Sequence, residues 1–511
     1  MLKNAFFFLL LLLSGNAIAQ EMNGFVHSNY AGITGAQLNP TALVNSKLYF
    51  DANIIGLHIF GDNNAVYLGK ETYKFTRFFE SGAEFPTHPV EISPNRTEDR
   101  EFYDYYNTSL KNAFVQAKIL GPGVMFSKNN KAFGISTAMR SIVSADNVPY
   151  EMAKFGVEGF DFYPQHRIRF DNEKDVRAAA LSFGELALTY SQVLYKQNLD
   201  HLSGGITVKG LLGMGGAYWY IDNVSYMLPN DDTLVVYNAN GRAGVSAPLD
   251  YATNDVNFGN PLVLGSGVGF DIGFTYQKKM KGHTNKRYSA CEQPFEDYYY
   301  SIGFSLLDIG YVSFKKNIKQ IELVDAQGQW NDFTNLDIEY LDQLFNQMTT
   351  TFHDPSIGSL TTVNEESFRV YLPAAASFQF DYRMNEQTYI NASVVLPLIH
   401  NESMVVRPSQ VSVTPRIERD RFEIAVPITV YNFRYPRLGI SARFSNFVIG
   451  TDKLGSFFGF NDFTGTDLYF MVKIPLIKGF CIGKGRGVNC GNHEYRQYQR
   501  SSERLKVRLP Y

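Results

Sequence analysis

The chain has 511 residues, of which 45% are hydrophobic, 15% are aromatic and only 19% are charged. This apolar content, together with 42 glycines, excludes a disordered, collagen-like or coiled-coil protein. The formal net charge of −3 provides no basic field that would attract nucleic acid, so we expect no nucleic-acid partner.

The first 19 residues have the layout of a cleaved secretory signal peptide. Lys3 precedes an apolar run at 5–13, and the small residues Ala17 and Ala19 follow it. The run is too short to cross a bilayer as a helix, which needs about 20 apolar residues. We therefore predict export, with cleavage near Ala19.

Large apolar residues then alternate with small or polar ones along most of the mature chain. The clearest case is 264–277, where Val268, Phe270 and Ile272 alternate with Gly267, Gly269 and Asp271. A membrane barrel turns the large residues toward lipid and leaves small, polar and ionisable groups inside. A soluble β-sandwich also alternates, but its exposed face is usually rich in charge. The pattern favours an all-β, single transmembrane antiparallel barrel, with the sandwich as the alternative.

The connections between these segments differ in length, which is typical of outer-membrane barrels. Counting segments gives about 14 strands, but an even up-and-down order does not close from the sequence, so at least one short strand in 48–112 or 315–367 must be misassigned. Short polar turns are predicted at 128–131, 197–200, 384–387 and 418–421, and long loops at 71–111, 146–179, 221–261 and 315–367.

Nearly every predicted strand carries an ionisable residue on its small face. Inside a barrel, such residues form a structural network or line a water path. The candidate lumen-lining residues are Arg140, Glu185, Lys209, Asp271, Asp381, Arg416, Arg443 and Lys473.

The sequence has three cysteines, of which Cys291 lies within the barrel pattern and the other two lie in a basic tail after it. Cys481 and Cys490 enclose a glycine-rich loop and are a candidate disulfide, with reduced thiols as the alternative; Cys291 remains over. We predict no metal site, because only His493 lies near the pair. The tail at 478–511 is predicted to be a solvated periplasmic extension, or a surface for acidic partners or lipid head groups.

Catalytic motifs are missing from the sequence. It contains no HExxH, GxSxG or P-loop pattern, and the GSGVG at 265–269 lies in a strand pattern rather than before a helix. We predict neither an enzyme nor a bound cofactor.

Two resemblances rest on particular motifs. Asn39 and Pro40, before the first predicted strand, resemble the N-terminal segment of the long-chain fatty-acid transporter superfamily, which implies a hatch that plugs a 14-stranded barrel. More of the chain resembles uncharacterised outer-membrane barrel proteins of Bacteroidota. The matching stretches are 31–40, 305–310, 414–418, 449–452 and 467–475, and they imply an outer-membrane barrel without an assigned activity.

The sequence thus predicts a signal peptide at 1–19, a hatch-like segment at 20–47, a barrel at 48–477 and the basic tail at 478–511. We expect a transporter-like channel of the cell outer membrane for hydrophobic or amphipathic small molecules. The alternative is a non-transporting partner subunit of a secretion or surface-assembly complex. The expected contacts are outer-membrane lipid, a hydrophobic small-molecule ligand and a periplasmic or outer-membrane protein partner.

Overall fold

A computed structural model shows a closed, antiparallel barrel of 14 strands. The wall closes because its last strand pairs with its first, with Phe50 opposite Leu476 and Phe60 opposite Asp467. The barrel therefore replaces the sandwich alternative. The structure describes residues 22–70, 87–128, 130–253, 262–284, 296–331, 341–354, 358–362, 366–476, 480–481 and 488–489.

We number the wall strands β1 to β14 in chain order, and strands β8, β11 and β12 are each formed by two consecutive pieces. The bounds are β1 Phe50–Asn63, β2 Lys111–Lys128, β3 Lys131–Val148, β4 Val176–Gln197, β5 Asp200–Asn230, β6 Gly265–Thr284, β7 Glu296–Phe314, β8 Phe368–Tyr371 and Ala375–Arg383, β9 Thr388–Pro397, β10 Gln410–Glu418, β11 Phe422–Ala425 and Ile428–Tyr431, β12 Pro436–Leu438 and Ile440–Phe444, β13 Phe447–Thr451, and β14 Asp467–Leu476.

Large apolar side chains cover the outside of this wall. On β6, for example, Val268, Phe270, Ile272 and Phe274 are all exposed, whereas Asp271 between them is buried. Exposed apolar residues occur in the same way on strands all round the barrel. A soluble monomer rarely exposes so large an apolar surface, whereas a membrane barrel presents such a surface to lipid.

Ile272→Arg tests the placement of this surface in lipid. Ile272 is exposed in the outward-facing apolar row of β6, and an arginine near the bilayer midplane costs about 2–4 kcal/mol. The heat-modifiable gel shift of the folded barrel, followed through a urea titration, measures the loss. The control is Val324→Arg, whose parent side chain is equally apolar and exposed but lies outside the wall. Equal losses in the two variants would contradict a lipid-facing wall.

One end of the barrel carries short turns, and we call it the short-turn end. Lys128 pairs with Lys131, Asp200 with Gln197, and β8 and β10 end close to the starts of β9 and β11. The four predicted short turns are confirmed. The opposite, long-loop end carries the longer connections, which include two small hairpins formed by His88–Ser93 with Arg96–Arg100 and by Val66–Tyr67 with Tyr103–Asp104.

The prediction of a loop at 221–261 is wrong over its first half. Strand β5 has 31 residues, although about 9–11 suffice to cross a bilayer, and it continues as a hairpin with Thr233–Ser246. Strands within two other predicted loops join it, namely Arg169–Asn172, Ile318–Val324, Gly328–Trp330, His353–Asp354 and Gly358–Thr362. We call this sheet the extension. The strands of the extension and of the small hairpins are not wall strands, so a count of all strand-like segments does not give the even number of strands of the wall.

Helices are few and short. In the extension, Tyr150–Glu158 and Leu341–Thr351 contribute to an apolar cluster around Trp330 and Phe352. The other helices are Gly32–Gln37, Ala42–Asn45, Tyr163–Gln165 and Leu454–Phe458. Within the ranges described above, none is long and apolar enough to span a membrane.

Residues 22–47, which we call the N-terminal segment, lie inside the barrel. Most of them are buried, and they contact strands on different sides of the wall: Asn39 lies against β6 and β8, and Asn29 against β10. The barrel is therefore filled at this level. Several predictions concern residues or side chains that the structure does not describe. They are the signal peptide, the tail beyond 477, the Cys481–Cys490 disulfide and the unpaired Cys291.

Candidate functional site

The N-terminal segment has little regular secondary structure, so other groups must accept its backbone N–H bonds. Wall carboxylates do so. The backbone and side-chain nitrogens of Asn29 donate to Glu418 at 3.0–3.2 Å, and those of Asn23 donate to Asp452 at 3.0 and 2.8 Å. The backbone N–H of Ile33 donates to Asp51 at 2.9 Å. Carboxylates from three separate strands or their ends thus hold the segment.

Asn39 and Pro40 form the turn that seats the segment against β5, β6 and β8. Asn39 Oδ1 accepts from the backbone N–H and the hydroxyl of Thr41 at 3.0 and 2.7 Å, and its Nδ2 donates to Gln379 at 3.0 Å. Pro40 packs on Gly205, where an added Cβ would lie 2.9 Å from the proline. The absence of a side chain at Gly205 is what admits the turn.

Two of the predicted lumen-lining cations contact the N-terminal segment directly. Lys473 pairs with Asp51 at 3.0 Å and also donates to the carbonyl of Ala31. Arg443 pairs with Glu423 at 3.1 Å and lies 4.2 Å from the ring centre of Tyr30. These two cations therefore help to hold the N-terminal segment in place.

Arg416 and Asp381 form a second group beside it. The Arg416 guanidinium bridges both oxygens of Asp381 at 2.9 and 2.6 Å, and its Nε donates to Glu418 at 2.8 Å. Asp381 also accepts from the Tyr298 hydroxyl at 2.5 Å. This orients Glu418, which in turn binds Asn29 and Lys47.

The four remaining candidates meet in mid-barrel around Asp308, and we call these five residues the charge layer. Asp308 accepts two bonds from Arg140 at 2.9 and 2.8 Å and one from Lys209 at 2.7 Å. Lys209 also pairs with Asp271 at 2.7 Å, and Arg140 with Glu185 at 3.3 Å. The layer links strands β3 to β7 across the interior.

Sequence reasoning did not select the carboxylates that bind the N-terminal segment and the inner cations, although the alternation places Glu423 on the small face. They are Asp51, Asp308, Glu418, Glu423 and Asp452. Asp308 escapes the alternation because β7 bulges there: it has φ 53°, and both Leu307 and Asp308 are buried. The only signal for Asp308 and Asp452 was their position in the 305–310 and 449–452 motifs.

Above the charge layer, toward the long-loop end, the interior is largely apolar, with the buried Lys453 Nζ over the rings of Phe60 and Tyr431 at 4.6 and 5.1 Å. A cluster of fully buried side chains, which we call the apolar layer, fills it from strands on all sides. Its aromatic members are Phe60, Phe114, Phe183, Phe314, Phe368 and Tyr431. Large apolar residues thus occur on the inner face too, where the pattern predicted only small and polar ones.

Two small cavities lie in the described part of the interior. The cavity beside the charge layer has a volume of about 40 Å³, and a second cavity beside Asn39 and Gln277 has about 90 Å³. Each accommodates only a few water molecules. A larger molecule fits neither cavity unless an internal segment moves.

No group of three or more histidine, cysteine, aspartate or glutamate side chains is arranged to hold a metal ion within the part of the chain that the structure describes. The carboxylates of the interior are bound instead to cations and to backbone N–H groups.

Comparison with known proteins gives a family match and distant structural likenesses. A family of unknown function (DUF5723) matches residues 40–452, and no curated protein matches the chain. The toluene transporter TbuX of Ralstonia pickettii is 8% identical over 91% of this chain and 96% of that chain, with a TM-score of 0.36. The translocator domain of the autotransporter NalP from Neisseria meningitidis is 8% identical over 87% and 95%, with a TM-score of 0.29. A Pseudomonas aeruginosa FadL homologue is 8% identical over 90% and 99%, with a TM-score of 0.23. TM-scores this low carry no argument about the function of this chain.

Proposed function

The chain belongs to a family of unknown function (DUF5723), and we propose that it is an outer-membrane channel through which hydrophobic or amphipathic small molecules pass. The outward-facing apolar wall and the signal-like N-terminus support the location. The N-terminal segment is the hatch of this channel.

The apolar layer is the observation that carries the proposal. A barrel that conducts water and ions has a polar interior. Here phenylalanines from β1, β2, β4, β7 and β8 converge inside the long-loop half. Transfer of an apolar molecule from water into such surroundings is favourable by roughly 25 cal/mol per Å² of its surface. The layer therefore suits an apolar cargo better than a hydrated one.

The attachment of the N-terminal segment supports its role as a movable hatch. Its contacts with the wall are hydrogen bonds, ion pairs and side-chain packing, and its residues do not pair in the ladder of the wall. Such contacts can break and re-form without disturbing the strands. We place the cargo path between the N-terminal segment and strands β5 to β9, beside the 90 Å³ cavity.

A disulfide that holds the segment tests this function. The hydroxyls of Thr41 and Thr275 are 2.5 Å apart, so cysteines at these positions fall within disulfide range. In a background with Cys291, Cys481 and Cys490 replaced by serine, Thr41→Cys/Thr275→Cys should stop uptake of the hydrophobic dye N-phenyl-1-naphthylamine by intact Gram-negative cells. A reductant should restore uptake.

The matched control joins two wall strands without touching the N-terminal segment. Ser141 of β3 and Ser182 of β4 have hydroxyls 2.8 Å apart, and the disulfide of Ser141→Cys/Ser182→Cys should leave dye uptake unchanged. If cells with the unmodified chain take up no more dye than cells without it, the channel proposal fails.

The extension favours a second candidate, a partner subunit of a secretion or surface-assembly complex. Strand β5 and its hairpin rise beyond the length that a bilayer requires, and they carry an apolar core of their own around Trp330. Loops and extensions of this kind offer surface for partners. Chemical cross-linking in outer membranes, with and without the hairpin, tests it; a chain that forms no stoichiometric cross-linked complex would count against this candidate.

A further inference from the structure

The connection between β9 and β10, residues 398–409, enters the barrel instead of passing over its rim. Met404 and Val405 are fully buried, and Arg407 is 3% exposed. We call residues 398–409 the inserted segment. Because β8 and β9 meet at the short-turn end, this connection lies at the long-loop end, opposite the turns.

The inserted segment crosses the interior from one side of the wall to another. On β8, the backbone N–H of Val405 donates to Tyr371 at 3.2 Å, and that of Tyr371 donates to Ser403 at 3.0 Å. On β3, the Ser144 hydroxyl accepts from the backbone N–H of Val406 at 3.0 Å. Strands β3 and β8 are five positions apart in a 14-strand wall, so the segment spans the lumen.

Each part of the inserted segment matches the layer that it meets. Val405 belongs to the apolar layer, whereas Arg407 lines the charge-layer cavity together with Asp308 and Arg140. Ile33 and Ala36 of the N-terminal segment line the same cavity. The two segments therefore enter from opposite ends of the barrel and meet at the charge layer.

The ends of the inserted segment are fixed at the rim, while its middle lies outside the ladder of the wall. Leu398 donates to the Ala374 carbonyl at 2.8 Å, and Ser409 exchanges bonds of 2.8 and 2.9 Å with Asn432. Between these points no described residue pairs in an antiparallel ladder. The segment forms one isolated bridge to β8, at Met404, and the Ser403 hydroxyl donates to the Arg369 carbonyl at 2.7 Å. Its middle can swing out about fixed ends.

We propose that the inserted segment is a second gate, independent of the N-terminal hatch, that closes the barrel from the long-loop end. The inference rests on the proposed channel function, because a gate needs a passage to close. Passage then requires two movements: withdrawal of residues 398–409 from the apolar layer and displacement of the N-terminal segment below the charge layer.

A disulfide between the inserted segment and β3 tests the gate. Ser144→Cys/Val406→Cys, in the cysteine-free background, joins positions that already touch through the Ser144 hydroxyl. Oxidised cells should lose uptake of N-phenyl-1-naphthylamine to the level of cells without the chain, and a reductant should restore it. The Ser141→Cys/Ser182→Cys pair is the control. Undiminished uptake with a fully formed Ser144–Val406 disulfide would overturn the gate.

Val405→Asp provides the opposite perturbation. An aspartate at this fully buried position would place a charge in the apolar layer, so the segment should leave the layer and dye uptake should rise several-fold. Val324→Asp, at an exposed position of the extension, is the matched control and should leave uptake at its original level. When combined with the Thr41–Thr275 disulfide, Val405→Asp should give no uptake, because the hatch remains closed.

Amide hydrogen exchange separates failure of the gate from failure of the channel. We expect the amides of Met404 to Arg407 to exchange at least about tenfold faster than those of the neighbouring strand β9, because the segment opens locally. Protection equal to that of β9 would overturn the gate even if dye passes. If these amides exchange fast but the protein passes no dye, residues 398–409 do move and the channel proposal is wrong.

Discussion

Replacing Asp308 with alanine is expected to destabilise the barrel by about 3–5 kcal/mol, the usual result of removing one partner from a buried ion pair. Asp308 is the shared acceptor of Arg140 and Lys209, and its own backbone N–H donates to Asp271 at 2.7 Å. Without it, the acidic partner that Arg140 retains among the described residues is Glu185, at the longer distance of 3.3 Å. The urea midpoint of the folded, heat-modifiable band measures the effect.

Three further variants separate charge from backbone conformation. Asp308→Asn tolerates the left-handed φ of 53° but removes the charge, so its loss should approach that of alanine. The double variant Arg140→Met/Asp308→Ala removes both members of the Arg140–Asp308 ion pair, so it should be more stable than Asp308→Ala alone. Asp325→Ala, at an exposed position with φ 47°, should cost less than about 1 kcal/mol. A loss at Asp308 no larger than that at Asp325 would contradict a structural role for the charge layer.

The orientation of side chains in the wall could be predicted wherever a strand is regular. Period two is a geometric property of the strand, so Ile272 had to face away from Asp271 once the segment was recognised. The same rule put Arg140 and Lys209 on the inner face. It fails at Asp308, because the bulge in β7 places two successive residues inside, and nothing in the local sequence marks that bulge.

The partners of the inner charges could not be predicted, because pairing depends on contacts between distant parts of the chain. Lys473 meets Asp51 and Ala31, more than 400 residues earlier, only after the barrel has closed and the N-terminal segment has entered. Alternation reports which face a residue occupies and says nothing of what lies opposite. Ion pairs such as Lys473 with Asp51 and Arg140 with Asp308 therefore join strands that are distant in the sequence.

The apolar layer and the extension were missed for related reasons. Phe60 and Phe314 are large residues on the inner face, where the rule for membrane barrels expects polar groups. The layer exists because residues 398–409 and the wall bury each other's apolar surface, which no single strand reveals. In the extension, β5 packs into the apolar cluster around Trp330, so its alternation weakens although the strand continues to Asn230.

Gly205→Val should unseat the N-terminal segment while leaving the wall intact. A Cβ at this position would lie 2.9 Å from backbone atoms of Pro40 and Thr41, and backbone cannot move aside as a flexible side chain can. Overpacking of this kind costs about 1–3 kcal/mol, which corresponds to about fivefold to roughly 150-fold faster amide exchange in the Asn39–Asn45 stretch.

Gly184→Val is the control that shows whether an effect of Gly205→Val comes from its contact with the Asn39–Pro40 turn. Gly184 lies on the adjacent strand β4, and the nearest atom to an added Cβ there is the end of the Met214 side chain at 3.8 Å. Gly184→Val should therefore leave exchange in the N-terminal segment unchanged. If the channel proposal holds, Gly205→Val also raises dye uptake, because a loosened hatch lowers one of the two barriers to passage. Equal exchange in both variants would show that Gly205 does not seat the segment, and faster exchange without increased uptake would leave residues 398–409 as the barrier that limits passage.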